Sequence, residues 1–244
     1  MLPALDPTDL ALLARVGRGW HSIAVSSGLP RAGITEGVPL RVKAFCWSVE
    51  RLAWAKANGC QWSEMTCALV AVSGHLDVLM WAREHDCPWD ALTCAYAALG
   101  GHLDVLKWVR ERGCPWNDDT CSLAAMRGHL DVLRWAHEHH CYMNWKTCAS
   151  AAEAGHLDVL KWARERHCEW NWRTCAYAAQ KGHLDVLMWA REHGCPWDKF
   201  TCSLAAMNGH VDVLRWAIAH GAPICSNNAL WYERVYAEAL EESI

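Results

Sequence analysis

Apolar and polar positions along this chain repeat on two nested scales. In the stretch Leu103–Glu111, Leu103, Val105, Leu106, Trp108 and Val109 make one broad apolar face, while Lys107, Arg110 and Glu111 lie on the other. This is the spacing of an amphipathic helix. The block returns every 27 residues, marked by Trp54, Trp81, Trp108, Trp135, Trp162, Trp189 and Trp216. Gly-His keeps the same period from Gly74-His75 to Gly209-His210, and Thr-Cys from Thr66-Cys67 to Thr201-Cys202. A fixed period near this length predicts stacked copies of one supersecondary unit, each burying its apolar face against the next. Six full repeats run from Cys60 to Gly221. A partial copy, 38–59, precedes them, and 222–244 is expected to cap the far end.

Each repeat predicts two antiparallel helices. In the copy Cys87–Gly113, Asp90 is placed to cap the first helix, and its column holds Ser63, Asn117, Asn144, Asn171 and Asp198, all capping types. With Asp90 as cap, Trp89 and Cys94 occupy the two positions of a hydrophobic staple. Ala97-Ala98 lets a neighbouring helix approach closely, and Gly101 ends the helix in a left-handed conformation. Asp104 sits in the first turn of the second helix, where a negative charge suits the dipole. Gly113 stops that helix. Its equivalents Gly59, Asp86, His140, His167, Gly194 and Gly221 are predicted at positive φ. The recurring Trp column is expected to be core, its indoles between layers, so that Trp135→Ala would cost about 3–5 kcal/mol.

The segment Ala97-Ala98-Leu99-Gly100-Gly101-His102-Leu103-Asp104-Val105-Leu106-Lys107 resembles the ankyrin repeat, with Val70-Ala71 replacing the Ala pair in the first copy. The resemblance covers about residues 40 to 244. It implies an all-α fold, an ankyrin-like α-solenoid of stacked helix-turn-helix units, and a role in binding protein partners. Two features depart from the family. Thr-Cys replaces Thr-Pro-Leu-His, and the unit is shorter than the usual period of about 33 residues. The deficit falls where ankyrin proteins carry β-hairpin fingers, so the fingers are expected to shrink to a tight Cys-Pro-Trp-Asp loop or to be absent.

Residues 1–37 carry a second resemblance. Leu5, Pro7, Leu10, Val16 and Trp20 are similar to the later part of an F-box, whose opening helix has no counterpart here. The resemblance implies that these residues contact a Skp-type ubiquitin-ligase adaptor while the array holds a substrate. The alternative is a helix that caps the first repeat.

Composition narrows the classes. A chain of 244 residues, 52% hydrophobic, can bury a large core, and a net charge of -4 weighs against nucleic acid. No apolar run approaches the roughly 18 residues that cross a bilayer. With no signal peptide in view, the expectation is a cytoplasmic monomer without membrane contact. Fourteen cysteines and fourteen histidines invite a metal. Zinc, however, needs four ligands within about 2.3 Å, and helix layers about 8–10 Å apart keep a one-per-layer ladder from converging. Cysteine then reads as a small buried hydrophobe, and His137, His139 and His140 as solvated. No cofactor or metal is expected. Six equivalent Gly-His histidines at a turn point to backbone hydrogen bonding, since a catalytic base is needed once; no enzyme activity is expected.

Function is then sought in what varies between copies. One column is Glu64, Ala91, Asp118, Trp145, Trp172, Lys199; the next is Met65, Leu92, Asp119, Lys146, Arg173, Phe200. A third, at the end of the first helix, is Val72, Leu99, Met126, Glu153, Gln180, Met207. By the ankyrin resemblance all three lie on the inner face. Aromatic residues and Arg are enriched at binding hot spots. Trp145, Lys146, Trp172, Arg173 and Phe200, with Met126, Glu153 and Gln180, are therefore the candidate partner patch. A basic column on the second helix, Met80, Lys107, Arg134, Lys161, Met188, Arg215, reads as solvated surface.

Overall fold

A computed structural model describes residues 46–57 and 59–224. The F-box-like residues Leu5, Pro7, Leu10, Val16 and Trp20, and nearly all of the expected C-terminal cap, lie outside the described residues. Among the described residues there are thirteen α-helices and no strand. The second helix of the partial copy is α1 (Val49–Ala57). The first helices of the six repeats are α2 (Glu64–Val72), α4 (Ala91–Gly100), α6 (Asp118–Met126), α8 (Trp145–Glu153), α10 (Trp172–Lys181) and α12 (Lys199–Met207). The second helices are α3 (Leu76–Glu84), α5 (Leu103–Glu111), α7 (Leu130–Glu138), α9 (Leu157–Glu165), α11 (Leu184–Glu192) and α13 (Val211–Ala219).

Successive first helices pack side by side, and each second helix packs on its own first helix. The short Gly-His turn folds the pair back on itself. Both helix ends close in the same way. At the first, the His102 N–H bonds to Ala97 O and the Gly101 N–H to Ala98 O, with Gly101 at φ 75°. At the second, the Cys114 N–H bonds to Val109 O and the Gly113 N–H to Arg110 O. This double bond pattern around a left-handed residue favours an apolar side chain just beyond it. Cys87, Cys114, Cys141, Cys168 and Cys195 fill that position and are buried. Asp86, His140 and His167 take φ of 61°, 66° and 59°, as read from their column. No finger projects: six residues, 85–90, join α3 to α4.

The core differs from the expectation in one respect. Its centre is Val105, Leu106 and Val109 with their equivalents, backed by the Thr-Cys and Ala columns of the first helices, nearly all at 0% exposure. The recurring tryptophans flank it. Trp81, Trp108, Trp135, Trp189 and Trp216 are half-buried, Trp54 is 39% exposed, and Trp162 alone is buried, at 6%. At 100° per residue, Trp108 and Leu103 stand about 110° to either side of that centre, so the indole packs on the edge of the core and not at its centre. A side chain four residues on covers it. His85 stacks on Trp81 and His139 on Trp135, each at 4.1 Å, and Arg112 lies 4.2 Å over Trp108.

The staple is also replaced. Trp89 meets Trp108 edge-on at 6.0 Å, and Arg83 of the preceding repeat lies 4.0 Å over its ring. Cys94 turns instead towards Cys114, its Sγ 4.0 Å from that residue's carbonyl. The loop tryptophan is thus a tie between repeats.

Three of the six Gly-His histidines bond to backbone, but across the repeat boundary. His102 Nε2 reaches Val72 O at 3.2 Å, His183 reaches Glu153 O at 3.1 Å and His210 reaches Gln180 O at 3.0 Å. The ring lies on the preceding glycine. A Cβ on Gly101 would sit 2.5 Å from His129. Glycine is therefore required here twice over, for the left-handed backbone and for the imidazole laid on it.

Candidate interaction surface

The variable residues at the start of each first helix are positioned by the caps. Asn144 Oδ1 accepts from the Lys146 N–H at 2.9 Å, Asn171 Oδ1 from the Arg173 N–H at 3.0 Å, and Asp198 Oδ1 from the Phe200 N–H at 2.9 Å. Each cap fixes the backbone of the residue that begins the patch. Stacking then sets the second helical residue of one repeat over the first helical residue of the repeat before. Lys146 Nζ is 3.0 Å from Asp118 and 3.6 Å from Asp119. The Arg173 guanidinium lies 4.9 Å over Trp145 and 4.5 Å over Trp172. Trp172 and Phe200 stack at 5.3 Å with 25° between planes. One ladder results: ion pair, cation–π contact, aromatic stack.

Its electrostatics change along the array. Asp118 and Asp119 lie in the first turn of α6, where acids suit the helix dipole. The first turns of α8, α10 and α12 hold no acid, and each carries a cation instead: Lys146, Arg173 and Lys199. A cation there is disfavoured by about 0.3–1 kcal/mol. Lys146 is compensated by its two aspartates. The hydrogen bond from Lys146, and then that from Asn144, hold the Asp118 carboxyl below the usual range, and the same pair raises the Lys146 ammonium. Among the described residues, Arg173 is held by two indoles and no acid.

Five of the eight candidate residues therefore come together: Trp145, Lys146, Trp172, Arg173 and Phe200. Met126, Glu153 and Gln180 do not join them. They sit half-buried at the far ends of α6, α8 and α10, about 10 Å along the axis from the helix starts by helical rise. There the Glu153 and Gln180 carbonyls receive His183 and His210, and Lys181 lies 3.8 Å from the Glu153 carboxylate. Between the two groups runs a row missed in the sequence, Tyr96, Leu123, Ser150, Tyr177 and Leu204, half-buried on the same face. Its signal was present. These residues stand four positions after the second variable column, on one helical stripe, and they too differ between copies, though only among Tyr, Leu and Ser.

The remaining candidates occupy structural places. Lys107, Arg134 and Lys161 are exposed along the second helices, with exposed Asp104, Asp131 and Asp158 close in sequence. His137 meets Trp162 edge-on at 5.8 Å, His139 covers Trp135, and His140 takes the left-handed turn. Among the described residues no group of three His, Cys, Asp or Glu is placed to hold a metal, and no helix is long and apolar enough to cross a membrane. Among the described residues no cysteine is placed in a disulfide. Burial pushes the Cys46 thiol up to about 12, and a hydrogen bond to Cys114, followed by burial, pushes Cys94 up.

A layer of first helices backed by a layer of second helices, tied repeat to repeat by histidines and tryptophans, defines a helical-repeat solenoid. The segment 175–218 matches the family model for ankyrin repeats (many copies). Among solved structures the chain is similar to the human ASB11 ankyrin repeat domain, at 16% identity and a TM-score of 0.51. That match covers 64% of this chain and 83% of the other. Comparison with curated proteins gives no match. The segment 175–218 thus carries ankyrin repeats, and the described array shares the fold of an ankyrin repeat domain.

Proposed function

We propose that this protein is a binding scaffold that holds a protein partner on its first-helix face, at the edge formed by the starts of α8, α10 and α12. Ankyrin repeats are in general protein-interaction modules. The observation that supports this site is the ladder Trp145–Arg173–Trp172–Phe200. It gathers the aromatic and Arg residues typical of binding hot spots, at helix starts where cations oppose the dipole. Stability of the fold does not call for it, because α2, α4 and α6 stack in the same way without aromatic residues at these positions.

The test is a triple variant, Trp145→Ala, Trp172→Ala and Arg173→Ala. The far-UV circular dichroism of the parent is expected to persist while specific partner capture, read by quantitative mass spectrometry against the parent chain, is lost. Capture that survives the triple change refutes the site.

A further inference from the structure

The same edge shows what it is built to receive, an inference that rests on the reading just given. The Arg173 guanidinium is anchored over two indoles, 4.9 Å from one ring centre and 4.5 Å from the other, on a half-exposed side chain. A guanidinium carries five N–H donors, and no hydrogen bond or ion pair to a described residue uses them. The nearby acids are engaged elsewhere or stand apart. Asp198 is turned into the cap of α12, Asp118 and Asp119 hold Lys146, and Glu169, exposed ahead of the α10 cap, makes no ion pair with Arg173. One repeat on, the exposed Lys199 ammonium lies 5.8 Å from Phe200, with no carboxylate of a described residue on it. The starts of α10 and α12 add their positive dipole ends. An anchored planar cation with free donors suits a carboxylate, which it pairs with two parallel hydrogen bonds. Beside it, Phe200 is 44% exposed and leads through Leu204 to Met207, 77% exposed, an apolar strip on the last repeat.

We propose that the partner presents an acidic–apolar segment: an Asp or Glu carboxylate pairs with Arg173, and an apolar side chain of the same segment lies on Phe200 and Leu204. Neighbouring first helices are about 8–10 Å apart. An extended peptide advances about 3.3–3.6 Å per residue. The acid and the apolar residue are therefore separated by two or three positions.

The experiment selects short peptides from a random phage-displayed library on the immobilised full chain, then measures synthetic copies in solution. The enriched peptides are expected to carry Asp or Glu two or three positions from Leu, Ile, Phe or Trp. Their affinity is expected to fall about tenfold or more with Arg173→Ala, less with Arg173→Lys, and with rising salt. It is expected to hold with Lys107→Ala on the second-helix layer. Circular dichroism confirms that each variant is folded. Peptides that need Trp172 and Phe200 but carry no acid, or that ignore Arg173→Ala, overturn the acidic partner and leave the surface standing. Peptides indifferent to every substitution on this edge, or no enriched peptide at all, overturn both.

Discussion

The two halves of the first-helix layer share one scaffold and differ at one edge. In repeats one to three the helix starts carry Glu64-Met65, Ala91-Leu92 and Asp118-Asp119. In repeats four to six they carry Trp145-Lys146, Trp172-Arg173 and Lys199-Phe200. Caps, turns, core columns and stacking are the same in both. The first half follows local electrostatics, with Glu64 and the two aspartates at the positive helix ends. The second half breaks that rule three times in succession. Departures from local consistency that the fold does not need are where function is sought.

The comparison implies that stability resides in the shared columns and recognition in the differing ones, and substitutions can separate them. The largest loss is expected at the centre of the core. Leu133, at 0% exposure, should cost about 3–5 kcal/mol when changed to Ala, read by urea unfolding. Half-buried Trp135 should cost less, about 2–3 kcal/mol as Ala. Equal costs would return the indole to the core. Next come the paired glycines. Gly101 and Gly113 share φ near +77° (75° and 79°), yet a Cβ meets His129 at the first and nothing within 4 Å at the second. Gly113→Ala should cost about 1 kcal/mol, the left-handed penalty alone. Gly101→Ala should cost clearly more, and a thermal melt that ranks them alike would remove the histidine tie from the account.

A smaller effect has the opposite sign. The Thr147 hydroxyl is buried at 0% exposure and has no hydrogen-bond partner among the described residues. Thr147→Val should raise stability by about 1 kcal/mol; a loss would reveal a partner for the hydroxyl. The smallest change is expected on the edge itself. Asp118→Asn removes a largely exposed pair with Lys146, worth well under about 1 kcal/mol. Since Asp118 ionises below its unfolded value, its contribution is present above about pH 4 and fades as pH falls through the folded value. The difference between parent and variant should therefore close in acid.

Much of this molecule was legible in its sequence because the determinants are local. The capping column and the left-handed turns at Asp86, His140 and His167 follow from residue type and spacing, and the loss of fingers from the short period set against the ankyrin resemblance. What escaped depends on how copies meet. A helical stripe shows which residues share a side, but not which of them the next layer covers; hence Trp108 was placed with Leu106 when it flanks it. The Gly-His column announced a turn, yet nothing in one repeat shows that the imidazole reaches the carbonyl of another, as His183 does with Glu153. The grouping of the patch shows the same limit. Its members were chosen by variability, and only stacking separates Trp145, Trp172, Arg173 and Phe200 at one end of the helices from Met126, Glu153 and Gln180 at the other.

The most direct measurement replaces single residues by a photo-crosslinking phenylalanine analogue, at Phe200 on the edge and at Lys107 on the second-helix layer, in otherwise unchanged chains. A discrete protein adduct from position 200, absent at position 107, is the predicted result. Adducts from 107 with none from 200 would place recognition on the opposite layer and contradict the account.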